Sequence, residues 1–159
     1  MKAQMSRPAP HEIAYTRTIN APRELVFMAW SDPKHLAHWY GPDGFTLTTH
    51  EMDFREGGFW RFIMHGPDGR DYKNTIQYLE IKAPERIMHI HIGEEGNEPV
   101  NFKTTVTFEA LSENTTRFTM LGTFDTPEAL QYVIENHHAD EGGMQTTDRL
   151  GEYVESLGR

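Results

Sequence analysis

DEGGMQTTDRLGEYVESLGR, residues Asp140 to Arg159, reads as an amphipathic helix with an unusual inner face. Gly143, Thr147, Leu150, Val154 and Leu157 recur at alternating steps of four and three, which is one stripe along an α-helix. The C-terminal part of the stripe is aliphatic and can anchor. The N-terminal half offers only Gly143, Thr147 and, one turn aside, Gly151. Glycine costs about 1 kcal/mol relative to alanine inside a helix, so its placement there requires a reason. It makes room either for a bulky neighbour or for an empty space beneath the helix, and these two alternatives lead to different proteins.

Working back from that helix, the order of elements follows from pattern. Residues up to Pro10 are polar and proline-punctuated and read as a flexible leader, with 11–157 as a single domain. His11 to Ile19 alternates as a strand, with Ile13, Tyr15, Arg17 and Ile19 on one face. Pro22 suits the first turn of a helix carrying Leu25, Val26, Ala29 and Trp30. Asp32-Pro33 then reads as an N-cap and first position of a short helix through Leu36 to Trp39. Strands follow at Phe45 to Met52, Gly58 to His65, Tyr72 to Ile81, Arg86 to Ile92, Phe102 to Leu111 and Thr116 to Phe124. Thr126-Pro127-Glu128 starts another helix, with a break at Asn136 to His138. This is an α+β order. A sheet curved enough to wrap one helix needs bulges and glycines, for which Gly57, Gly58 and Gly122 are the candidates.

The bulk properties narrow the function. At 159 residues the chain is about one domain long, and its formal charge is −9. Its acidic residues include Glu94, Glu95 and Glu98, and no basic stripe occurs, which argues against nucleic acid and anionic membranes as partners. Cysteine is absent, which excludes disulfide and thiol chemistry and suits a reducing compartment. No run reaches the ~18 apolar residues of a membrane span. With no signal-peptide pattern either, the cytoplasm is the expected location.

Several stretches together resemble the SRPBCC (START-like, birch-pollen-allergen-like) superfamily, and within it the homologues of the activator of heat-shock-protein-90 ATPase. They are APRELVFMAWSDPKHLAHWYGP (Ala21 to Pro42), GGFWRFIMHGPDG (Gly57 to Gly69), YLEIKAPERI (Tyr78 to Ile87), VTFE (Val106 to Glu109), TRFTM (Thr116 to Met120) and TDRLGEYV (Thr147 to Val154). The resemblance implies a helix-grip fold, a curved antiparallel sheet wrapped around the long C-terminal helix with two short helices after the first strand. It also implies a cavity between the two, shared by ligand binders, polyketide cyclases, a self-sacrificing (CalC-like) resistance protein and chaperone activators. This chain departs from relatives at Gly142-Gly143, where many carry Gly-Trp, and at Gly122, where many carry histidine. It covers only the C-terminal module of the eukaryotic activator, whose N-terminal chaperone-binding domain has no counterpart in these residues.

On such a sheet Trp60, Phe62 and Met64 share one face, as do Tyr72, Asn74 and Tyr78, His89 and His91, and Met120 with Gly122. With Gly143 and Thr147 from the helix, they would line an aromatic cavity with a few polar groups, the usual make-up of a small-molecule site. His89 and His91 lie about 6–7 Å apart on one side of a strand. That spacing could chelate zinc given a third ligand such as His65 or Glu80, but packing with a hydrogen-bonding edge is the plainer reading, and no metal or cofactor is assigned. His35, His38, His137 and His138 read as solvent-facing or capping, Arg61 and Arg149 as surface ion-pair partners, and Asp53 with Glu56 as a turn. No Ser-His-Asp order, phosphate loop or dinucleotide fingerprint is present.

The first functional reading is therefore a binder of a small apolar or aromatic molecule, with Thr126 to His138 as a lid over the entry. The second is an enzyme of the cyclase, aromatase or hydrolase kind, marked by Tyr78 hydrogen-bonded to His89 as general acid and base. The third is a chaperone-contacting module. Monomer and homodimer both stay open.

Overall fold

The computed structural model describes residues 2–92 and 102–157, so the acidic segment with Glu94, Glu95 and Glu98 lies outside the described residues. In chain order the elements are β1 (Gln4–Ser6), β2 (Glu12–Ile19), α1 (Arg23–Ser31), α2 (Pro33–Trp39), β3 (Thr46–Met52), β4 (Phe59–His65) and β5 (Asp71–Lys82). They continue with β6 (Arg86–Ile92), β7 (Phe102–Ser112), β8 (Thr115–Phe124), α3 (Pro127–His137) and α4 (Ala139–Leu157). The strands form one antiparallel sheet in the order β1-β2-β8-β7-β6-β5-β4-β3. A curved antiparallel sheet holding a long C-terminal helix is the helix-grip α+β arrangement that the sequence implies.

Local chemistry sets the helix ends. The Asp32 side chain accepts the Lys34 N–H at 2.8 Å and Pro33 opens α2, while Thr126 accepts the Ala129 N–H at 3.0 Å and Pro127 opens α3. His138, at φ 52°, turns the chain between α3 and α4 at the expected break. The sheet bends at irregularities between Thr49 and Glu51, Tyr78 and Glu80, and Ala110 and Ser112. Gly57 and Gly58 serve the bend: Gly57 has φ +84°, and a Cβ on Gly58 would overlap the Asp53 carbonyl. Gly122 meets neighbours only at ordinary contact distance, so the expectation that it is needed for curvature is not met.

Two expectations at the chain ends are corrected. Gln4–Ser6 is not loose but pairs with β2 residues Ala14 to Thr16, and the Ala3 N–H donates to Asp148 Oδ1 at 2.8 Å. All three strand residues are exposed, so main-chain pairing alone makes this strand and no hydrophobic alternation announces it. At the other end Leu157 is 41% exposed, so the buried stripe of α4 stops at Val154.

The question raised by the glycines has a definite answer. A Cβ on Gly143 would fall within the Tyr15 ring, and one on Gly151 would coincide with the Arg17 guanidinium. The small residues make room for bulky neighbours. Tyr15 donates its hydroxyl to the Ala139 carbonyl at 2.9 Å and packs with Ile13, Phe124 and Leu130. Arg17, only 4% exposed, donates to the Asp148 carbonyl at 2.8 Å and faces the Asp148 and Glu155 carboxylates at 3.8 and 3.5 Å. Arg149 is not the ion-pair partner expected: its guanidinium donates to the carbonyls of Gly41 and Pro42 at 2.8 and 2.9 Å, tying α4 to the loop after α2.

Gly143→Ala is expected to lower stability by about 1–3 kcal/mol through overpacking, even though alanine favours an isolated helix by about 1 kcal/mol. Urea denaturation of G143A, Y15L and the double variant checks this. Substantial recovery in the double variant is the expected coupling, and strictly additive losses would refute the packing account.

Candidate functional site

The helices make their close approaches to β1, β2, β3, β7 and β8, with α4 lying on β2. The concave faces of β4, β5 and β6 are spanned mainly by side chains. Along these strands burial changes in one direction. At one end Trp60, Ile76, Tyr78 and His89 are buried, with the Trp30 ring beside His89. At the other end Met64, Tyr72, Asn74 and His91 point the same way yet are partly reached by solvent, as are Phe102 on β7 and Met120 on β8. Along this part of the concave face the side chains thus pass from buried to partly exposed.

Cross-strand register assembles it. Trp60 lies opposite Ile76, Ile76 opposite His91, and His91 opposite Phe102; one step deeper Tyr78 lies opposite His89. Trp60 and Phe62 stack at 3.9 Å between ring centres, and Tyr40 meets both edge-on. Thus Trp60, Phe62, Met64, Tyr72, Asn74, Tyr78, His89, His91 and Met120 share one surface. Gly143 and Thr147 are placed differently. Tyr15 fills the room over Gly143, and Thr147 is buried with its hydroxyl on the Gly143 carbonyl at 2.8 Å. Sequence reasoning missed Tyr40 and Phe102 as members of this surface. Alternation with Thr104 and Val106 could have found Phe102, whereas nothing local marks Tyr40.

The two histidines differ sharply. His89 is 2% exposed, and among the described residues neither ring nitrogen has a hydrogen-bond partner; Trp30 Nε1 beside it is likewise unpaired there. The Tyr78 ring stands perpendicular to His89 with centres 6.2 Å apart, so the hydrogen-bonded acid–base pair expected of an enzyme is not formed. His91 Nε2 lies 2.8 Å from Asn74 Oδ1, and its ring stacks on Phe102. Burial pushes His89 down to about 3, with His91 adding to the effect, and pushes His91 down to about 4. Both are neutral at pH 7. Burial also raises the Tyr40 and Tyr78 phenols well above their ordinary range, and each stays protonated.

The suggested third zinc ligands are turned elsewhere. His65 lies on the convex face, with Nε2 at 2.8 Å from Thr48 Oγ1 and Nδ1 at 2.7 Å from Asp71. This hydroxyl–imidazole–carboxylate chain, absent from the sequence reading, stands in water. Glu80 is held by Arg86. Arg61 pairs with Glu51 on the surface, as expected, and Arg55 with Asp53 in the turn. Instead of facing solvent freely, His35 hydrogen-bonds Tyr153 at 2.6 Å and His38 stacks on the same ring, joining α2 to α4.

Neutral buried histidines make stability depend on pH. The unfolded chain binds protons at these residues below about 6.5, whereas the folded chain does so only near 4 and 3. Stability is therefore fully present above pH 6.5 and declines as pH falls, by up to about 1.4 kcal/mol per pH unit for each histidine. His89→Leu is expected to be neutral or stabilising at pH 7, because it removes unpaired polar atoms, and to flatten the decline between pH 6 and pH 4.5. Urea midpoints across that range check it, and an unchanged slope in H89L would contradict it.

Residues 20–155 match the model of the family described as Activator of Hsp90 ATPase homolog 1-like protein. No curated protein matches the chain. Among solved structures, a protein from Arthrobacter aurescens is similar with a TM-score of 0.88 at 26% identity, over 96% of this chain and 91% of that one. A protein from Chromobacterium violaceum has a TM-score of 0.77 at 28% identity, over 92% and 99%. One from Nitrosomonas europaea has a TM-score of 0.83 at 21% identity, over 96% and 99%, and shares the fold. The chain belongs to the family of proteins like the activator of Hsp90 ATPase homolog 1.

Proposed function

We propose that the chain binds a small apolar or aromatic molecule in the recess bounded by β4, β5 and β6 and the helices. The observation that carries this reading is the one-way change in burial along the inward-facing side chains. Trp60, Tyr78 and His89 are sealed, whereas Met64, Tyr72, Asn74 and His91, on the same face, are reached by water. An apolar wall left partly wet gains when a ligand replaces that water, by about 25 cal/mol per Å² of apolar surface buried. The aromatic lining with few polar groups is of the kind small-molecule sites use. The lid role suggested for Thr126 to His138 is compatible with α3, which anchors only Leu130 fully and leaves Val133 and Ile134 half-buried. The enzymatic and chaperone readings lack a comparable observation. No helix among the described residues is long and apolar enough to cross a membrane.

The test is naphthalene titrated into protein carrying labelled methionine methyls, read by NMR. Met64 and Met120 signals are expected to shift, while those of Met5 and Met28, exposed elsewhere at 45% and 37%, stay fixed. Unmoved Met64 and Met120 signals at saturating naphthalene would sink the proposal.

A further inference from the structure

The mouth of the recess contains a side chain whose hydrogen-bonding sense can be deduced from its partners. The Asn74 Nδ2 group donates to the Tyr72 carbonyl at 2.9 Å. That contact fixes the amide, because a flipped Asn74 would set its own oxygen against a carbonyl oxygen. Asn74 Oδ1 therefore faces His91 Nε2, 2.8 Å away, and an amide oxygen can only accept. The hydrogen of the neutral imidazole is on Nε2, which leaves a bare lone pair on Nδ1.

Three further observations make this lone pair available to a ligand. Nδ1 has no hydrogen bond among the described residues. The His91 side chain is also only partly buried, unlike that of His89. The ring cannot swing freely, because it stacks on Phe102 at 4.9 Å and 18°, and Phe102 stacks on Phe124 at 4.8 Å and 16°. A rigid acceptor thus stands beside apolar rings at the one end of the recess that solvent reaches.

We propose that His91, oriented by Asn74, presents Nδ1 as a hydrogen-bond acceptor at the recess mouth and selects aromatic ligands that carry a hydroxyl donor. The inference rests on the binding reading above and deepens it by naming the ligand class. A hydroxyl gives the lone pair its partner, whereas a methyl ether or carboxylate offers only acceptors. His91 contacts the ligand directly, and Asn74 is a positioning residue that sets the tautomer.

The experiment compares 2-naphthol, 2-methoxynaphthalene and naphthalene by calorimetry on the full chain at pH 7, with long-range 1H–15N NMR of the histidine rings. The Nε2–H tautomer is expected for His91, with 2-naphthol binding at least tenfold more tightly than its methyl ether. His91→Phe keeps the stack on Phe102 and should erase that preference, so that naphthol and ether bind alike. Asn74→Leu should weaken the preference and shift His91 towards a tautomer mixture. An Nδ1–H tautomer, equal affinities for naphthol and ether, or a preference that survives H91F overturns the acceptor role and leaves the recess reading standing. If none of the three compounds binds, the recess reading falls and the acceptor role falls with it.

Discussion

The structure depends on how β2 meets α4. Tyr15 and Arg17 project from the strand into the room that Gly143 and Gly151 leave, and each is tied there, Tyr15 to the Ala139 carbonyl and Arg17 to Asp148 and Glu155. A helix about 10 Å across covers roughly two strands spaced about 4.8 Å apart. Once α4 is seated on β2 it cannot also cover β4 to β6. Helices α1 and α2 close one end of what remains, through Trp30, Trp39 and Tyr40. The other end is left to side chains, which pass there from buried to partly exposed.

Carbonyl contacts from Arg149 and the His35–Tyr153–His38 group hold the same helix from its opposite side. These contacts position α2, and with it Tyr40, which leans edge-on against Trp60 and Phe62. The buried end of that concave face is thus built from residues whose placement traces back to α4.

Much of the fold could be read from pattern because the signals were local. Alternation marked seven strands, while Asp32-Pro33 and Thr126-Pro127 marked two helix starts. Strand β1 escaped because its three exposed residues are held by backbone pairing alone. The concave face was legible residue by residue, since period-two alternation names the side of the sheet, but its depth was not. Whether glycine on α4 means a void or a bulky neighbour depends on Tyr15, 128 positions before Gly143, and no local pattern records that meeting. Arg149 looked like a surface charge because a guanidinium seeking carbonyls has no sequence signature.

His89 and His91 show why depth matters. They lie two residues apart on the same side of one strand, separated by about 6–7 Å, yet one is buried with no partner among the described residues and the other is only partly buried. A sealed neutral imidazole costs stability and acts on nothing. An imidazole fixed by Asn74 and Phe102 at the mouth has one nitrogen committed and one lone pair to offer. The lining around it (Trp60, Phe62, Tyr72, Tyr78 and neutral histidines) carries no formal charge, while the chain as a whole carries −9. An anion would lose its hydration against that lining and meet an acceptor with another acceptor. A neutral hydroxyl on an apolar ring avoids both penalties, so the burial of the lining and the tautomer of His91 select for the same chemistry.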